Sequence, residues 1–98
     1  MRLTALVVAT GFFAISGNEL YQNCTAASGS LQAIFCVGYV TAVSDSLISQ
    51  RLMCAPEGAQ VGQAMDVIVD YLRAHPEQRQ RSGYSLAELA LVGAFPCK

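Results

Sequence analysis

Four cysteines, Cys24, Cys36, Cys54 and Cys97, carry the most definite chemistry in this chain. Their even number in a small chain suits two disulfides. A zinc site would need closely paired ligands, yet no Cys-x-x-Cys word occurs and the single histidine, His75, has no second ligand near it. No metal and no cofactor is expected.

Catalysis asks for a nucleophile, a base and a group that orients the base. The supply here is His75, a few carboxylates, and thiols that oxidation would consume. His75 precedes Pro76, which cannot continue a helix, and an imidazole at a helix end favours the negative pole of the dipole. Both residues therefore read as structural. Asp66 and Asp70 share a helix face at a spacing that could bring two carboxylates together, but a solvated face is the plainer expectation. Asp45 falls within an apolar stretch, where burial would demand a partner; an exposed position is preferred. No enzymatic activity is expected.

Arg73, Arg79 and Arg81, with Gln78 and Gln80 between them, form a mobile basic edge that could meet an acidic partner, although a plain solvated loop is the preferred reading. Nucleic acid is not that partner. The chain has formal net charge −1, and losing Arg2 would leave five basic against seven acidic residues. A nucleic-acid binder displays a basic face strong enough to displace phosphate counterions.

The N-terminus has the three-part grammar of a secretory signal peptide: Arg2, the apolar run Leu3 to Ile15, and the small residues Ala14, Ser16 and Gly17. That run is shorter than the roughly 20 residues that span a bilayer. Residues 1–17 are therefore expected to be removed during Sec export to the periplasm, with cleavage after Ser16 or Gly17. No membrane attachment would remain. Cys24 lies too far on for a lipoprotein. Residues 18–98 then form one domain, which at about eighty residues buries only around 60% of its unfolded surface. Cross-links would supply much of its stability.

The elements that must hold these residues are helical. Asn18 to Cys24 reads as a short helix with Asn18 as its cap, and Thr25 to Ser30 as a turn with Ser28 or Ser30 capping the next helix. From Leu31 to about Ser49, Leu31, Ile34, Phe35, Val43 and Leu47 recur at helical spacing as an inward stripe. Gly38 and Ala42 lie on one face and would admit a close backbone. Gln60 to Ala74 is a third helix, with Ala64, Met65, Ile68, Tyr71 and Leu72 on its apolar side. Glu77 to Gly83 is an exposed loop. A last helix follows, with the capping-box word Ser85…Glu88 at its start and Ser82 as a second possible cap. It ends near Gly93 or Ala94. The fold class is all-α, a small disulfide-stapled bundle of about four helices.

Several words run through this domain in order: Glu19-Leu20 before Cys24; Phe35-Cys36-Val37-Gly38-Tyr39-Val40 before Asp45; Cys54-Ala55-Pro56; Gly62-Gln63; Tyr71-Leu72; His75-Pro76-Glu77; and Ala90-Leu91 before Phe95-Pro96-Cys97. Together they resemble the small periplasmic immunity proteins of the Rap/Tai type, which protect bacteria against peptidoglycan amidase effectors of type VI secretion. Departures are Ala42 where a second glycine is common, Gln60 in place of a threonine cap, and Gly83 in place of alanine. The resemblance implies a compact helical domain, often a homodimer, that binds a cognate cell-wall amidase and blocks its cleft without an active site of its own. Arg73, Gln78, Arg79 and Arg81 are the candidate partner-binding residues. Gly38, Tyr39, Asp45, His75 and Pro76 are the structural ones.

Two other readings stand beside it. The apolar content of 53% with few charges suits a protein similar to the small disulfide-bonded acid-stress chaperones, and a hydrolase or redox enzyme finds almost no support. Of the three possible disulfide connectivities, Cys24 with Cys36 and Cys54 with Cys97 is preferred. The first joins a short helix to the second turn of its neighbour, and the second fastens the tail to the central loop.

Overall fold

Ser16, rather than Asn18, starts the first helix in the computed structural model, which describes residues 14–98. Its hydroxyl accepts the Glu19 N–H at 3.2 Å, and the Glu19 carboxylate accepts the Ser16 N–H at 2.9 Å. This reciprocal capping box begins α1, Gly17–Cys24, and places Asn18 inside the helix. The signal-peptide expectation falls largely on residues 1–13, outside the described residues.

A turn through Gly29, whose φ of +86° lies in the left-handed region that favours glycine, leads to Ser30. The Ser30 hydroxyl accepts the Ala33 N–H at 3.1 Å and caps α2, Leu31–Ser49. Its buried residues are Cys36, Val40, Val43 and Leu47. The expected inward stripe is therefore only half right. Leu31, Ile34 and Phe35 face solvent, with 82%, 60% and 44% of their surface exposed. The disulfide at Cys36 turns the helix, and because apolar residues occupy nearly its whole circumference, either face would satisfy the pattern.

Arg51, at φ 60°, ends α2 in a left-handed step while the Leu52 N–H donates to the Leu47 carbonyl at 2.9 Å. The third helix, α3, runs Val61–Ala74 and buries Ala64, Ile68 and Leu72. The Gln63 side chain accepts the Gln60 N–H at its start, at 2.8 Å. Pro76–Gln78 forms a single 3-10 turn. Ser82 then caps α4, Gly83–Ala94, by accepting the Ser85 N–H at 3.3 Å. The Ser85…Glu88 word thus lies within the first turns of α4 and does not cap it. Burial of Gly83 against the chain at Ser16 pulls the helix start forward.

Among the described residues all regular structure is helical apart from one isolated bridge, Ser16 with Ser82. The four helices touch one another in every pairing. Leu20, Leu47, Ile68, Leu72, Leu86 and Leu91 fill the centre. Fully burying each such side chain contributes about 1.5–3 kcal/mol. The disulfides pair Cys24 with Cys36 and Cys54 with Cys97, at Cα separations of 5.1 and 4.9 Å. The second holds the tail beside the central loop, where the Cys54 N–H also donates to the Phe95 carbonyl at 2.9 Å. By length and composition α2 could cross a membrane, but one of its faces belongs to this core.

Candidate partner-binding surface

The segment after α3 is tied into the fold by side chains and backbone alike. His75 closes that helix with Nδ1 2.8 Å from the Tyr71 carbonyl, and the two rings stack at 4.2 Å. The Tyr71 hydroxyl donates to Gln78 Oε1 at 3.1 Å. Arg79 Nε donates to the Leu72 carbonyl at 2.9 Å, satisfying one of the orphan carbonyls at the end of α3. Its guanidinium lies 4.2 Å above the Tyr21 ring. The backbone is fixed as well, since the Asn18 N–H donates to the Arg79 carbonyl at 2.7 Å and the Gly17 N–H to the Arg81 carbonyl at 2.8 Å.

The expected basic edge therefore divides. Gln78 and Arg79 are half-buried and occupied within the fold, while Arg73 and Arg81 are exposed. Arg73 pairs with Asp70 at 3.0 Å. An exposed pair of this kind contributes at most about 1 kcal/mol and yields readily to a competing partner. Asp66 is solvated on the same helix. Arg81 stands at the start of α4 next to Ser85, Glu88 and Leu89 around an open depression.

The outer face of α2 is the second exposed feature. Gly38 and Ala42 lie on it, and a Cβ built on Gly38 would meet nothing within 4 Å. The close backbone expected there is thus not supplied by this chain's described residues. Leu31, Ile34 and Phe35 continue the same face toward the start of α2, and Phe35 stacks on Tyr39 at 5.6 Å between ring centres. Tyr39 is half-buried, and burial first, then Tyr84, pushes its phenol above the ordinary value.

Asp45 is exposed, at the rim of a cleft of about 210 Å³ that Ser44, Ile48, Met53 and Phe95 also line. Among the described residues, Ser44 Oγ is the buried side-chain polar atom without a hydrogen-bond partner. No group of three potential metal ligands comes together among the described residues, and all four cysteines are consumed in disulfides. The described surface presents a largely apolar helix face, a tethered segment with two exposed arginines, and a small cleft. The sequence reading marked Gly38 and Ala42 on this face but set Leu31, Ile34 and Phe35 inward, although the signal for an apolar outer face was present, since Asp45 is the one charge in nineteen residues.

A search of curated proteins and one of solved structures each found no match. A family profile described as Rap1a immunity proteins matches residues 16–97, nearly the whole described chain and both disulfides. This twice cross-linked chain, built of four α-helices over its described residues, belongs to the Rap1a immunity protein family.

Proposed function

We propose that this family member is exported to the periplasm, where it binds a cognate peptidoglycan amidase delivered by type VI secretion and inhibits it. The profile match over residues 16–97 carries the reading. Two disulfides suit an oxidising compartment, and the apolar run Leu3 to Ile15 suits a secretory signal. An inhibitor benefits from rigidity, because ordering a loop on binding would subtract from affinity. The stacked and hydrogen-bonded segment from His75 to Arg81 supplies such rigidity. In this reading Arg73 and Arg81 meet the effector, while Gln78 and Arg79 hold the segment that presents them.

A second copy of the chain would cover α2. Gly38 and Ala42 would allow two α2 backbones to approach, and Leu31, Ile34 and Phe35 would seal the contact. Exposed apolar patches of this kind commonly mark interfaces.

The test mixes the processed protein with exported cysteine–histidine peptidoglycan amidases of the type VI effector class from the same genome. A stoichiometric complex by calorimetry and loss of peptidoglycan hydrolysis are expected. Unimpaired hydrolysis with the immunity protein in excess refutes the proposal. The exposed face of α2 also favours a second reading, an acid-stress chaperone. That reading requires the protein alone to suppress aggregation of unrelated clients at acid pH.

A further inference from the structure

Ile15, Ser16 and Gly17 sit inside the folded domain. The Gly83 N–H donates to the Ile15 carbonyl at 2.9 Å and the Gly17 N–H to the Arg81 carbonyl at 2.8 Å, on either side of the antiparallel bridge between Ser16 and Ser82. The half-buried Ile15 side chain packs against the core. Contact is close from both directions. A Cβ on Gly83 would stand 3.1 Å from the Ser16 carbonyl oxygen and 3.2 Å from that of Ile15, while one on Gly17 would collide with Leu86 and the Arg79 backbone.

Small residues alone would direct signal peptidase to the bond after Ser16 or Gly17. A cut there removes the α1 cap and the acceptor for the buried Gly83 N–H, and it discards the Ile15 contact with the core. An uncapped helix start and an unsatisfied buried donor both cost stability. We propose that processing falls at or upstream of the Ala14–Ile15 bond, so that the mature chain keeps Ile15 to Gly17 as a clasp on the start of α4. Ala14 is exposed at the edge of the packed region and offers a small residue just before that bond.

The inference rests on the export reading, and one experiment separates the two. The full chain is expressed with its own leader, recovered from the periplasm, and examined by intact mass and amide hydrogen exchange. A mature chain beginning at Ile15 or earlier, with a slowly exchanging Gly83 amide, is expected. A start at Asn18 or Gly17 overturns the inference and leaves export standing, whereas an unprocessed chain confined to the cytosol overturns both. Fast exchange at Gly83 in a chain that retains Ile15 also overturns the clasp.

Discussion

The Arg79 guanidinium lies over the Tyr21 ring at 4.2 Å while its Nε holds the Leu72 carbonyl at 2.9 Å. One side chain thereby joins α1 to the end of α3 from the segment between α3 and α4. Replacing it should release both contacts. For Arg79→Ala we expect a loss of about 1–3 kcal/mol, from a cation–π contact and a charged hydrogen bond. Arg79→Lys should recover little, because one ammonium cannot face the ring and reach the carbonyl with the geometry of a planar fork. Urea denaturation of the oxidised protein measures both variants, and an unchanged midpoint for Arg79→Ala contradicts this role.

Two glycines should respond oppositely to alanine. A Cβ on Gly17 would lie 2.5 Å from Leu86 Cδ1 and 2.9 Å from the Arg79 carbonyl oxygen, whereas Gly38 faces open space within a helix. Gly17→Ala should cost about 1–3 kcal/mol through overpacking. Gly38→Ala should raise monomer stability by about 0.5–1 kcal/mol through helix propensity. Thermal unfolding at low protein concentration compares them, and shifts of the same sign would refute the contrast.

The span of α2 could be read because Ser30 caps it, and the end of α3 because Pro76 stops it; the favoured disulfide pairing also matches the structure. The start of α1 was obscured because Ser16 belongs to two patterns at once, the capping box with Glu19 and the small residues of a cleavage site. The inward face of α2 could not be chosen by periodicity on a helix apolar on all sides; Cys36 and its tether to Cys24 decide it. Arg79 looked like a solvated charge because its partners, Tyr21 and the Leu72 carbonyl, meet it only in three dimensions.

The two disulfides should open in order. Cys36 is fully buried, whereas Cys54 and Cys97 are both exposed. Graded reduction followed by alkylation and peptide mapping should therefore find Cys54 and Cys97 modified first. The sequence separations are 12 and 43 residues. On the chain-entropy account their removal costs about 3 and about 4 kcal/mol respectively. The exposed bridge is thus expected to be both the more accessible and the more stabilising of the pair. Simultaneous alkylation of all four cysteines at every reductant concentration would count against the ordering.

The outer face of α2 offers a test that separates assembly from folding. Ile34 and Phe35 are exposed and flank Gly38, so a charge placed on them meets solvent in the isolated chain and is desolvated only if a second copy covers the face. Desolvating an unpaired charge costs several kcal/mol, and surface substitutions away from special features usually stay within about 0.5 kcal/mol. Ile34→Glu should therefore leave the dilute unfolding temperature nearly unchanged, Phe35→Lys should lower it only by the lost stack on Tyr39, and both should convert a dimer into a monomer in sedimentation equilibrium. If the unsubstituted protein sediments as a monomer at all concentrations, the second-copy proposal fails. The uncovered face of α2 would then be left for the effector, and calorimetry with the same two variants would show the loss there instead.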